Sequence, residues 1–176
     1  MTIRGAQRRA EEIVLHFGDS AVPVDVESIA ERLGLPVLYE DLGSPEVSGV
    51  LVSSDEGACI FIQRTDHPNR RRFSIAHEIG HYVLKHQFEE GEHVHVDRGH
   101  YISRRDERSA AGVDPKEMEA NAFAAALLMP EEFVRERVAV VTRGQAILDY
   151  HVRHLANLFE VSEQAMTIRL TRLGLL

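Results

Sequence analysis

The residues best placed to do chemistry are His77, Glu78 and His81, which form a His-Glu-x-x-His motif. Residues four positions apart lie on the same face of a helix, so the two imidazoles can point at one metal ion. Glu78 lies beside them, where it can reach a water held by that ion. Two histidine ligands with a glutamate as general base are typical of metalloproteases. We therefore expect a metal site with Glu78 as the catalytic base.

A catalytic site of this kind takes three protein ligands and leaves one position open. The residue six positions after His81 is Gln87, which excludes the class of proteases with a third histidine there. A second predicted helix offers Glu117 or Glu119, and only one of them can face the metal. Glu117 shares a helix face with Asn121, which could hydrogen-bond a metal-binding histidine. We favour Glu117 as the third ligand and keep Glu119 as the alternative.

A long polar segment, residues 86–115, separates the two predicted metal helices and is a candidate rim or lid of a substrate site. Four side chains of this segment could bind metal, and they are His93, His95, Asp97 and His100. We expect all four to be exposed to solvent instead. His100, Tyr101 or an arginine of this segment could also stabilise the oxyanion that peptide hydrolysis produces. The histidines without a paired motif are expected to be structural or surface residues: His16, His67, His86, His151 and His154.

Hydrophobic spacing predicts the elements that position these residues. Helices are expected at residues 5–17, 25–33, 68–85, 115–129, 131–138 and 146–159, with a last helix after Ser162. Thr65 and Asp66 are candidate caps of the first metal helix, and Asp25 and Asp114 are candidate caps of two others. Short apolar runs at residues 36–39, 47–52 and 58–62 predict a small three-stranded antiparallel sheet.

The pattern predicts an α+β fold that is mainly helical, in a single domain over residues 1–176. Residues 1–35 would form N-terminal helices, residues 36–130 the sheet and the metal-site helices, and residues 131–176 C-terminal helices. Gly80 lies inside the motif helix, where it could serve close packing or leave room for a substrate backbone. The sequence does not separate these two roles.

Composition narrows the class of protein. A chain of 176 residues with a net charge of −8 is poorly suited to general binding of nucleic acid. Residues 24–37 superficially resemble the first part of a helix-turn-helix, but the acidic charge disfavours direct DNA binding. A single cysteine, Cys59, rules out a disulfide framework and fits a reducing cytoplasm. No run of about 18 apolar residues predicts a membrane span.

The chain resembles the ImmA/IrrE family of metallopeptidases. The resemblance is carried by Arg72–Leu84, which includes the motif, and by Glu117–Pro130, with further likeness at Pro23–Ala30, Ser48–Gly49 and Val161–Leu170. It implies a zincin-like metallopeptidase core in a cytoplasmic protein of bacterial or phage origin. It also implies that the substrate is a helix-turn-helix (Xre-type) repressor, or an antitoxin.

Carried over to this sequence, the resemblance implies that His77, His81 and Glu117 bind Zn²⁺ and that Glu78 is the base. Mn²⁺ can share such ligands. Asn121 stands where related zincins often have an aspartate, so its hydrogen bond to a histidine would come from a neutral group. The expected function is a zinc-dependent endopeptidase that relieves repression. The alternative is a metal-containing regulatory module that sequesters a transcription factor or a toxin–antitoxin partner without cleaving it.

Overall fold

The computed structural model describes residues 2–18, 21–54, 57–86, 94–97 and 114–176, and of residues 94–97 only the backbone. Within these residues the chain forms seven helices and four strands, which confirms the predicted α+β class with a mainly helical core. The helices are α1 (Ile3–Phe17), α2 (Val26–Arg32), α3 (Pro68–Val83), α4 (Pro115–Leu128), α5 (Glu131–Thr142), α6 (Asp149–Phe159) and α7 (Glu163–Arg172). The strands are β1 (Val37–Glu40), β2 (Gly49–Ser54), β3 (Gly57–Gln63) and β4 (Val94–Asp97).

The sheet differs from the predicted one in two respects. Its order is β1-β3-β2-β4, so a fourth strand lies inside the polar segment 86–115. Strand β1 pairs with β3 in parallel, whereas β2 pairs with both β3 and β4 in antiparallel fashion. A short turn forces only the hairpin β2–β3 to be antiparallel. Because the direction of β1 depends on how the chain crosses the sheet, local pattern could not predict it.

The helix ends follow local capping chemistry. Three helices begin at a residue whose side chain accepts a hydrogen bond from a backbone N–H of the first turn. These N-caps are Asp25 for α2, Asp114 for α4 and Ser162 for α7, as the sequence predicted. The expected cap of α3 at Thr65 or Asp66 is wrong. Pro68 occupies the start of the helix, so the preceding His67 is the cap, and its Nδ1 atom accepts from the N–H of Asn69 at 3.2 Å.

Helix α3 is enclosed along its second half, since every residue from Ser74 to His81 is buried. It contacts β2 and β3 as well as α4, and α1 packs against α4 in turn. A helix that is enclosed on all sides has to satisfy its polar side chains inside the protein. Its buried polar residues are His77, Glu78 and His81, together with Ser74. The site is therefore built into the core.

Residues 24–37 do not continue as a helix pair. Helix α2 is followed by β1, which hydrogen-bonds to β3, so the segment does not form the second helix that a helix-turn-helix requires. Among the described residues, no helix combines the length and apolar character needed to cross a bilayer.

Candidate metal centre

Three side chains from two helices bring their donor atoms together. The Nε2 atoms of His77 and His81 lie 3.0 Å apart. The Glu117 carboxylate reaches both of them, with Oε2 3.3 Å from His77 Nε2 and Oε1 3.2 Å from His81 Nε2. Both histidines are buried, and the side chain of Glu117 is 31% exposed. Among the described residues, this is the group of histidine and acidic side chains that could hold a metal ion.

The donor set fits a divalent metal. Ligand atoms about 2.0–2.1 Å from a tetrahedral ion lie about 3.3 Å from one another. The distance between the two imidazole nitrogens, 3.0 Å, is close to that spacing, and each nitrogen lies at a similar distance, 3.3 or 3.2 Å, from a different oxygen of the Glu117 carboxylate. Two imidazole nitrogens with one carboxylate is also the ligand set of one class of catalytic zinc site, which keeps its fourth position open. These residues therefore form a candidate metal-binding triad.

The structure distinguishes the two glutamates of α4. Glu117 belongs to the triad, whereas the Oε2 atom of Glu119 lies 3.3 Å from Nε2 of His86. The two side chains leave the helix on different sides, as their separation of two residues requires. Glu119 is therefore a partner of a different histidine, and the alternative third ligand is not among the converging donors.

Asn121 lies where the sequence analysis expected it, one turn after Glu117. Its Oδ1 atom is 3.1 Å from Nδ1 of His77. A histidine that offers Nε2 to a metal carries its proton on Nδ1, so the amide oxygen would accept a hydrogen bond from His77. This contact would fix both the tautomer and the orientation of the ring.

His86 is the residue that sequence reasoning missed. Its Nδ1 atom lies 3.1 Å from Nδ1 of His81, and the two rings are nearly perpendicular, at 79°. Its side chain is only 7% exposed. Burial lowers the pKa of the His86 imidazole, and the hydrogen bond that His86 donates to the Glu119 carboxylate opposes that shift only in part. His86 is thus a buried ring in contact with a candidate ligand.

The C-terminus of α3 explains how His86 reaches His81. The N–H of His86 donates to the carbonyl of His81 at 3.1 Å, and the N–H of Lys85 donates to the carbonyl of Tyr82 at 3.2 Å. This pair of hydrogen bonds is a Schellman motif, which turns the chain back along the last helical turn. Lys85 has a φ of 53°, a left-handed conformation that usually belongs to glycine. The sequence has no glycine at this turn, so the reversal of the chain at Lys85 could not be predicted from it.

Glu78, the expected catalytic base, is fully buried on α3. Its side chain lies against Gly49 of β2, where an added Cβ atom would stand 3.1 Å from Oε1 of Glu78 and 3.4 Å from its Cγ atom. The same Cβ atom would stand 3.4 Å from Cβ of Ser74. The absence of a side chain at position 49 therefore leaves the space that Glu78 occupies.

Gly80 serves the packing of the two metal helices. A Cβ atom at this position would stand 3.1 Å from Cδ1 of Phe123 and 3.3 Å from both Cα and the carbonyl oxygen of Ala120. These neighbours belong to α4, so the glycine lets α3 and α4 approach closely. Of the two roles that the sequence left open, the structure supports close packing.

Several candidates from the polar segment lie outside the described residues. These are His93, His100 and Tyr101, and the backbone alone is described for His95 and Asp97, which lie in β4. The expectations that they are exposed, or that they stabilise an oxyanion, remain predictions. Of the remaining histidines, His151 is buried and accepts a hydrogen bond from the N–H of Leu148 at the start of α6, a structural role.

The family profile of Peptidase_M78, described as the IrrE N-terminal-like domain, matches residues 30–171. The chain therefore belongs to this family, which confirms the resemblance seen in the sequence. Membership indicates a metallopeptidase-like or IrrE-type regulatory protein. No curated protein gives a significant match to the chain.

Among solved structures, the chain is similar to a Mycobacterium tuberculosis transcriptional regulator, with a TM-score of 0.61 and 18% sequence identity. The similarity covers 97% of this chain and 47% of the other, so this chain spans about half the length of that regulator. At this identity the likeness concerns the fold.

Proposed function

We propose that this protein is a zinc-dependent endopeptidase that hydrolyses a peptide bond in a partner protein. The observation that carries the proposal is the convergence of His77, His81 and Glu117, with the buried Glu78 next to His77 on the motif helix. Membership of the Peptidase_M78 family supports the same chemistry. A metal with a purely structural role would not require Glu78.

In the proposed hydrolysis, three residues would bind the metal ion and a fourth would transfer a proton. His77, His81 and Glu117 would hold the ion, which when bound acts as a Lewis acid on the scissile carbonyl and lowers the pKa of water. Glu78 would accept a proton from the attacking water, whose oxygen forms the new bond to the carbonyl carbon. As the carbon–nitrogen bond breaks, Glu78 would return that proton to the leaving amine.

The proposed substrate is a helix-turn-helix (Xre-type) repressor or an antitoxin. Family membership and a structural neighbour that is called a transcriptional regulator support a partner connected with transcription. The acidic net charge of −8 supports action on a regulator protein rather than on DNA itself. Cleavage would remove the repressor from its operator, which would relieve repression in a bacterial cytoplasm.

The test is cleavage of an Xre-type helix-turn-helix protein chosen from the products of neighbouring genes. The purified protein is loaded with Zn²⁺, mixed with that candidate substrate and followed by intact-mass spectrometry. We expect two fragments whose masses sum to that of the substrate plus one water, and none after treatment with 1,10-phenanthroline. Glu78→Gln should bind Zn²⁺ normally and cut about 10³-fold more slowly, since it lacks the base.

Glu132→Gln is the matched control, because Glu132 is an exposed glutamate of α5, outside the site. It should cut at the wild-type rate. Wild-type cleavage by Glu78→Gln would remove Glu78 from the mechanism. Formation of a stable complex without cleavage, with or without metal, would instead establish the regulatory binding module.

A further inference from the structure

Among the described residues, three side chains are linked by hydrogen-bond contacts that run from a candidate metal ligand to a buried carboxylate. His81 Nδ1 lies 3.1 Å from His86 Nδ1, and His86 Nε2 lies 3.3 Å from Glu119 Oε2. The side chains of His81, His86 and Glu119 are 1%, 7% and 10% exposed. All three are therefore shielded from water, where hydrogen bonds are strong and unsatisfied polar groups are costly.

The directions of these hydrogen bonds follow from metal binding. When Nε2 of His81, which faces the other donors of the triad, holds a metal ion, the ring proton lies on Nδ1. His81 Nδ1 then donates to His86 Nδ1, which must accept. The proton of His86 consequently lies on Nε2, where it is donated to the carboxylate of Glu119. Without the ion, Nε2 of His81 lies 3.0 Å from Nε2 of His77 and 3.2 Å from Oε1 of Glu117, which favours a proton on Nε2 instead.

We infer that His86 and Glu119 are positioning residues, which hold His81 in the tautomer and orientation that present Nε2 to a metal ion. The inference rests on the proposed metal site. It also gives the two glutamates of α4 distinct tasks, with Glu117 as a direct ligand and Glu119 acting through two imidazoles.

The supports of the two histidine ligands are unequal. His77 is held by the amide oxygen of Asn121, a neutral acceptor, whereas His81 is held through His86 by a carboxylate. Hydrogen bonds to ionised groups are stronger than those between neutral groups.

The first test is a spectroscopic one on the Zn²⁺-loaded protein. Long-range ¹H–¹⁵N correlation spectra report which ring nitrogen of each histidine carries the proton. We expect the Nδ1–H tautomer for His81 and the Nε2–H tautomer for His86. In Glu119→Gln, His86 should become a mixture of tautomers, because the amide can donate as well as accept. A His86 ring that carries its proton on Nδ1 in the wild type would overturn the inference.

The second test is the dissociation constant for Zn²⁺, measured by competition with a chelator. Loss of groups that support a metal ligand typically weakens binding by about 10–100-fold. We expect Kd to rise by about tenfold in Glu119→Gln and by up to about 100-fold in His86→Ala. Lys85→Gly, which favours the turn that carries His86, should leave Kd unchanged.

Matched controls are His154→Ala and Glu132→Gln, which remove exposed side chains of α6 and α5. Both should bind Zn²⁺ like the wild type. Circular dichroism of each metal-free variant shows that it is folded, and a folded His86→Ala with wild-type Kd would overturn the inference. If the wild type itself does not bind Zn²⁺, the proposed function fails; if it binds Zn²⁺ and the variants at His86 and Glu119 bind it equally well, the proposed function stands and the inference fails.

Discussion

Gly80 of α3 lies so close to Ala120 of α4 that a Cβ atom at position 80 would stand 3.3 Å from the backbone of Ala120. The Gly80→Ala variant gains about 1 kcal/mol of helix propensity. Overpacking against a backbone costs about 1–3 kcal/mol, because the two helices have to separate. We expect a net loss of about 1 kcal/mol in the free energy of unfolding. Urea denaturation of the metal-free protein measures it.

The same variant should weaken Zn²⁺ binding, because α4 carries Glu117 and would move away from the two histidines of α3. The expected change is a higher Kd in chelator competition. A Gly80→Ala protein that is more stable than the wild type and binds Zn²⁺ equally well would show that the close approach of the helices has no part in the site.

Gly49→Ala tests the space around the expected base. The new Cβ atom would stand 3.1 Å from Oε1 of Glu78, so the carboxylate must shift. We expect kcat/KM for substrate cleavage to fall by at least about tenfold, since a misplaced base transfers protons poorly. Kd for Zn²⁺ should stay constant, because no ligand is displaced. Ser53→Ala, a change of similar size on the same strand, should affect neither, and equal losses in the two variants would refute the role of Gly49.

Asn121→Asp replaces a neutral acceptor for His77 by a charged one. The oxygen is already 3.1 Å from His77 Nδ1, so the geometry need not change. A charge-assisted hydrogen bond is stronger by about 1 kcal/mol, which corresponds to about fivefold tighter Zn²⁺ binding. Asn121→Leu, of similar size but without an acceptor, should weaken binding instead. If both variants bind Zn²⁺ like the wild type, the hydrogen bond to His77 does not support the ligand.

Asp25 should make stability depend on pH. The backbone N–H of Ser28 lowers the pKa of its carboxyl below the ordinary value of 3.8, with help from the Ser28 hydroxyl and the N–H of Glu27. A lowered pKa stabilises the folded state above about pH 3.8, and this contribution disappears as pH falls through the folded value. Asp25→Ala should therefore cost about 1 kcal/mol at pH 7 and less at pH 3.5.

Urea denaturation at the two pH values measures this difference, and ¹³C titration of the carboxyl gives its pKa directly. Asp25→Asn is the matched control, because asparagine is an equally good cap without a titrating group. Its stability relative to Asp25→Ala should not change with pH. An equal penalty for Asp25→Ala at both pH values would contradict the assignment.

The parts of the site that sequence predicted are those fixed by helical periodicity. His77 and His81 share a face because four residues make about one turn, and Glu117 and Asn121 do so for the same reason. The meeting of the two helices was also foreseeable, since a third ligand was needed and a second helix offered one. The mainly helical α+β class followed from patterns of this kind.

The parts that sequence did not predict depend on contacts between distant residues or on rare backbone conformations. The parallel pairing of β1 with β3 is a property of the whole sheet. His86 meets His81 only because Lys85 adopts a left-handed φ of 53°. Lysine is not a residue type that predicts this conformation. Whether Glu117 or Glu119 faces the histidines depends on how α4 is rotated about its axis. The small alanine side chains of α4 are similar on all its faces, so the sequence did not predict that rotation.

The donors of the triad come from helices that are joined through residues 82–116. Closing a flexible loop costs conformational entropy, which grows by only about 0.6 kcal/mol for each doubling of its length. Here the contact between Gly80 and Ala120 closes that loop when the protein folds, so the cost falls on folding rather than on metal binding. Insertions between residues 98 and 113 should therefore leave the affinity for metal almost constant. The connection can therefore change in length while the donor geometry stays the same.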